Sequence, residues 1–135
     1  MTYPVTHIDG IGTEQAVALK RVGIRTTEGL LEAAKSPKGR KELAAKTGID
    51  EKLLLQWANC ADRMRIKGIG DDYSELMRAA GVDTVRELKH RNAKRLAEAM
   101  RNANTKRKLV DFLPSEKAVA RWIEHAKKLP LKITY

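Results

Sequence analysis

Few side chains in this sequence are spaced for chemistry; the main chain offers more. His7, His90 and His125 stand in no His-x-x-x-His pattern, and Cys60 is the only cysteine. A cysteine-based zinc site and an intramolecular disulfide are therefore both out of reach. A metal-dependent nuclease needs several carboxylates converging on divalent ions. The adjacent pair Asp71-Asp72 instead falls where a helix should begin, and capping accounts for it. Gly-x-Ser-x-Gly, a Walker loop and a dinucleotide fingerprint are all missing from the chain. The expectation is a protein without catalysis of its own. What remains is a repeated main-chain device, Ile-Asp-Gly-Ile-Gly at 8–12 and Ile-Lys-Gly-Ile-Gly at 66–70.

Glycine lets a turn between two helices reach positive φ and lets another backbone come close. The isoleucine between the glycines can point inward as a plug. Amides of the turn and of the next helix's first turn then face out, at the positive end of a helix dipole, where a phosphate oxygen fits. The charge of the chain agrees with such a ligand. Its 27 Lys and Arg against 17 Asp and Glu leave +10, which makes polyanions the first partners to consider. Between Arg86 and Lys108 nine basic residues meet only Glu87 and Glu98.

The elements that must position these turns are also repeated. A shift of 58 residues lays Ile8, Gly10, Ile11, Gly12, Gly23, Thr26 and Leu30 on Ile66, Gly68, Ile69, Gly70, Gly81, Thr84 and Leu88. A shift of 65 lays 50–61 on 115–126 and pairs Trp57 with Trp122, which locates about seven extra residues in the second copy, around Asn102 to Phe112. The sequence thus predicts a single domain, 1–135, made of two repeats, 8–65 and 66–129. Apolar residues recur at helical spacing, as in Tyr73, Leu76, Met77 and Ala80, and no alternating run of strand length appears. Thr26, Asn92, Asp50 and Ser115 read as helix caps, with 50 and 115 opening the two longest helices. Ser36-Pro37 starts a helix that Gly48 closes, Gly81 is a left-handed terminator, and Thr84 to Glu87 reads as a capping box. The fold expected is all-α, roughly eight short helices with approximate twofold pseudo-symmetry. Trp57 and Trp122 sit in apolar stripes, the former with Leu53, Leu54, Ala61 and Met64, and are expected in the core. The symmetry further suggests that helix 115–129 docks beside the first turn and completes it, so that deleting 115–135 would unfold the chain.

The two Gly-Ile-Gly turns, each followed by a helix and then Gly-[Ile/Val]-x-Thr, resemble the helix-hairpin-helix family of sequence-independent DNA-binding modules. The whole chain, from IDGIG to SEKAVARWIEHAKKLP, resembles an uncharacterised bacterial and archaeal family of tandem helix-hairpin-helix proteins, a domain of unknown function. The resemblance implies hairpin amides holding a DNA phosphate at Gly10, Ile11 and Gly12 and at Gly68, Ile69 and Gly70. It also implies a possible monovalent cation on hairpin carbonyls.

Nucleic-acid-binding hairpins usually carry Lys or Arg after the second glycine, whereas here Glu14 follows one turn and Asp71 and Asp72 the other. Such carboxylates suit the helix dipole and compete with phosphate for the same amides. The second turn, with Lys67, is the better candidate. Contacts to duplex DNA or another nucleic acid are expected from it together with Arg91, Lys94, Arg95, Lys106, Arg107 and Lys108. The alternative is a protein-interaction module that keeps the glycines for the turn alone and docks a protein partner through Phe112 and Leu113, unless these pack between the repeats. No stretch is apolar enough to span a membrane, and a cytoplasmic protein is expected.

Overall fold

The computed structural model describes residues 2–135. The architecture is all-α. A single 3-10 turn, Val5–His7, precedes α1 (Thr13–Arg21), α2 (Thr27–Ala34), α3 (Pro37–Thr47), α4 (Glu51–Arg63), α5 (Asp71–Ala79), α6 (Val85–Leu88), α7 (Ala93–Lys106) and α8 (Glu116–Lys128). The longest helix is α7, not α4 or α8, at 14 residues against 13 for each of those.

Local chemistry sets most boundaries. The hydroxyls of Thr26 and Ser36 accept from the Gly29 and Gly39 amides at 3.1 and 3.0 Å, and Asn92 and Ser115 accept from Arg95 and Ala118, each at 3.1 Å. Each bond satisfies an amide that has no partner inside its helix. Gly48 and Gly81 take φ of +76° and +95° just past α3 and α5, where a side chain would be strained.

The expected capping box at α6 is replaced by something from far along the chain. Thr84 spends its hydroxyl on the Glu87 carboxylate, and the Val85 amide is capped instead by Oδ2 of buried Asp62 at 2.8 Å. A four-residue helix has few bonds of its own, so a charged acceptor from α4 is what holds it.

Buried apolar side chains form two clusters. One runs from Val5 to Met64 and the other from Ile66 to Ala126, with Ile133 returning to the first. Trp57 and Trp122, 3% and 6% exposed, anchor one cluster each, whereas Leu53 of the expected stripe is exposed. The end of α4 joins the two. Arg63, buried, donates from Nε to Ser74 Oγ at 2.9 Å and from Nη1 to the Asp83 carbonyl at 2.8 Å; Arg65 bonds Asp62 at 2.8 Å and the Pro130 carbonyl at 2.7 Å.

Helix α8 does not complete the first turn. It packs on α6 and α7, with Trp122 over Gly68 of the second turn, while Trp57 of α4 lies over Gly10 of the first. Each tryptophan covers the turn next to its own apolar cluster, which leaves α8 no free apolar face to offer elsewhere. What crosses back is the tail. The Thr134 amide donates to the Lys35 carbonyl at 2.7 Å, and buried Arg40 donates to the Thr134 carbonyl at 2.8 Å. The extra residues of the second half lie largely in the connection 107–115, against 48–50 in the first. Phe112 there is 82% exposed, and Leu113 is exposed too, so neither packs between the halves.

Candidate anion-binding site

Both Gly-Ile-Gly turns have the same backbone. Gly10 and Gly68 each take φ +93°, and an ideal Cβ would stand 3.5 and 3.4 Å from the indole Nε1 of Trp57 and Trp122. Ile11 and Ile69 are buried plugs, as their position between glycines suggested. The second glycines differ in kind. Gly12 and Gly70 have φ of −85° and −94°, open to any residue, and a Cβ on Gly70 would meet nothing within 4 Å.

Three amides of the first turn are spent inside the protein. Asp9 N–H donates to Asp71 Oδ1 at 3.1 Å, Ile11 N–H to the Ile8 carbonyl at 3.2 Å, and Gly12 N–H to Gln15 Oε1 at 3.0 Å. A carboxylate at the start of α5 thus occupies the anion position of the other turn. Of the expected first-turn contacts, Ile11 and Gly12 thus have their amides engaged within the protein, whereas the Gly10 amide has no acceptor among the described residues. In the second turn Lys67 N–H donates to His125 Nδ1 at 3.1 Å and Ile69 N–H to the Ile66 carbonyl at 3.1 Å. The Ile69 carbonyl, a candidate cation ligand, already accepts from Tyr3 Oη at 3.4 Å.

The second turn has two unlike flanks. On one side Gly70, Asp71, Asp72, Tyr73, Asp111 and Phe112 border a groove with three carboxylates, which repels phosphate. Tyr73 Oη donates to the Phe112 carbonyl at 3.0 Å and fixes that loop to α5. Burial pushes the Asp71 carboxyl above its ordinary value, with Glu75, Asp9 and Asp72 adding to the rise and the Asp9 amide opposing it.

On the other side lies a recess of about 730 Å³. Its floor is Gly68, Ala120 and Trp122, and its rim carries Lys67, Arg121, His125 and Lys128. The one acidic lining residue, Glu124 of α8, is paired with Lys127 at 2.9 Å. Among the described residues Lys67, Arg121 and Lys128 form no ion pair, and no acceptor takes the Trp122 indole N–H. Helical period explains the assembly. Val119, Trp122, Ile123 and Ala126 face the core, and Lys117, Arg121, Glu124 and Lys128 occupy the opposite, exposed face.

Of the basic residues expected from sequence, only Lys67 lines this recess. Lys94 and Arg95 lie in the first turn of α7 and Lys106 in its last, about 18 Å apart at 1.5 Å per residue. Half-buried Arg91 points its guanidinium toward Gly81, past the far end of α5 from Gly70. Lys94, Arg95, Lys106, Arg107 and Lys108 are exposed, and Lys108 is paired with Asp111 at 3.3 Å. Arg121, His125 and Lys128 were missed, because α8 reads first as a tryptophan-bearing core helix. The signal available was the i, i+4, i+7, i+11 spacing of Lys117, Arg121, Glu124 and Lys128.

Spacing also gave no hint that Cys60, Asp71 and Glu75 would meet, their ligand atoms lying within 4.8 Å of one another. Each is already engaged. Burial pushes the Cys60 thiol up, keeping it protonated and in contact with Ser74 Oγ at 3.3 Å. Asp71 holds the Asp9 amide, and Glu75 lies 3.8 Å from Arg63 and 3.5 Å from Arg78.

No helix is long and apolar enough to cross a membrane among the described residues. No curated protein matches the sequence, and no solved structure matches it. One family model does, over residues 9–129. That match takes in both turns, both tryptophan helices and the whole recess, so the chain belongs to the family described as a domain of unknown function, DUF4332.

Proposed function

We propose that this protein is a non-catalytic, sequence-independent nucleic-acid binder whose contacts to the sugar-phosphate backbone come from the α8 face and the second turn. One observation carries the reading: Lys67, Arg121 and Lys128, none of them ion-paired to a described residue, converge on the rim of one recess beside Gly68. Three unneutralised cations around a glycine turn make a local anion site, and the net charge of +10 supplies the long-range attraction. The likeness of both Gly-Ile-Gly turns to helix-hairpin-helix modules supports the same reading. The mode differs from the one that likeness implies, since side chains rather than first-turn amides meet the phosphates. Duplex DNA is the partner proposed, because a backbone-reading site needs a regular array of phosphates.

Fluorescence anisotropy with two duplexes of unrelated sequence tests this. Equal affinities that weaken steeply with salt are expected; no binding at low salt would remove the proposal. Exposed Phe112 and Leu113, held by Tyr73 beside three carboxylates, favour a second reading as an adaptor for a protein partner. That reading predicts an altered pull-down and unchanged DNA affinity for Phe112→Ala.

A further inference from the structure

The recess has more to it than its cations. A phosphate alone would need charge and amides, yet the floor here is apolar, made by a glycine, an alanine and one edge of an indole. At about 730 Å³ it is far larger than an oxyanion requires. The indole N–H of Trp122 has no acceptor among the described residues, so the floor also offers one donor. Behind it Trp122 is backed by Tyr73, ring centroids 5.4 Å apart, which fixes the indole in place. An apolar floor with one donor, ringed by three cations and the His125 imidazole, suits a ligand that is planar and apolar on its faces, an acceptor at its edge, and anionic where it leaves the recess. A nucleotide has those properties: the base carries ring nitrogens and carbonyls as acceptors, and its phosphates would lie at the rim.

We infer that the recess accepts a single unpaired nucleobase, with Lys67, Arg121 and Lys128 on the flanking phosphates, so that the protein prefers DNA carrying an unpaired nucleotide over a continuous duplex. The inference rests on the proposed function and deepens it. Phosphate contacts alone cannot tell a base from its absence, so the base itself must carry the preference. Each ~40 Å² of apolar floor that a base covers strengthens binding about fivefold.

The test compares two duplexes by anisotropy in the same buffer, one with a single bulged adenine and one with an abasic tetrahydrofuran at that position. The bulged adenine should bind at least about fivefold more tightly. Ala120→Leu, which fills the floor and leaves every cation in place, should abolish that difference. Since Ala120 is half-buried, a second measurement on the unmodified protein stands beside it: deoxyadenosine monophosphate should quench tryptophan fluorescence, and ribose 5-phosphate should not. Equal affinity for the two duplexes, or equal effects of the two small molecules, would overturn the inference and leave the backbone reading intact. Failure of both duplexes to bind would overturn the backbone reading as well.

Discussion

Reversing two charges on α8 gives the sharpest test of where phosphates sit. In Arg121→Glu with Lys128→Glu, two of the three recess cations become anions, and Lys67 alone remains. Both side chains are exposed and neither is ion-paired to a described residue, so folding should be unaffected. Each phosphate neutralised contributes about 0.9 to the slope of log affinity against log salt. Three contacts weaken binding about 40-fold between 50 and 200 mM salt, and one contact only about threefold to fourfold. Contacts elsewhere on the surface add equally to both proteins, so the difference in slope should be about 1.8 whatever their number. The assay is anisotropy of a labelled duplex at four or more salt concentrations, with circular dichroism to verify the fold. A variant that keeps the slope of the parent would place the phosphates on another surface, with the two ends of α7 as the next candidates.

Other consequences can be checked singly. Gly68→Ala places a side chain at φ +93° and should cost ~1–2 kcal/mol in urea denaturation. Gly70→Ala, at φ −94° with open space around the new Cβ, should stay within about 0.5 kcal/mol of the parent, a poorer N-cap offset by lost chain entropy. A Gly70→Ala protein that folds but no longer binds DNA would show that the α5 amides, not α8, hold the phosphate. Ile133→Ala should cost ~2–5 kcal/mol by thermal melting although it is the third-last residue of the sequence, because its side chain fills the first core. Trp57→Ala should cost ~3–5 kcal/mol, and a near-native midpoint would contradict its burial. Asp71→Asn keeps an oxygen for the Asp9 amide and removes a charge that burial disfavours. Because the folded carboxyl binds its proton more tightly than the unfolded one, parent stability falls as pH rises above the ordinary 3.8. The variant should therefore be the more stable at neutral pH, and the gap should close as the pH drops below about 4. A gap that widens in acid would reverse the sign of this argument.

Short-range chemistry was legible in the sequence. Thr26, Ser36, Asn92 and Ser115 cap helices because a hydroxyl or amide oxygen reaches an amide three residues on, and Gly48 and Gly81 end helices because only glycine relaxes at positive φ. Both tryptophans followed from apolar spacing, which reports which face a helix must bury, and both isoleucine plugs from their place between glycines. Interactions between distant residues were not legible. Asp62 capping α6, Asp71 taking the Asp9 amide and His125 taking the Lys67 amide join groups 23, 62 and 58 residues apart. Which acceptor reaches an orphan amide depends on how whole helices dock, and spacing along the chain does not encode it.

The cations show the same division. Basic residues concentrated between Arg86 and Lys108 drew attention to α7, but a helix spreads its residues along its length and around its axis, and α7 carries them to opposite ends. On α8 fewer charges lie along one exposed stripe, and the docking of Trp122 over Gly68 brings that stripe to Lys67. The sequence by itself determined the helices, their caps, the glycine turns and the excess of positive charge, because each depends on neighbours a few residues away. The tertiary structure alone decided which amides are spent and which cations meet, because only packing converts separation along the chain into distance in space.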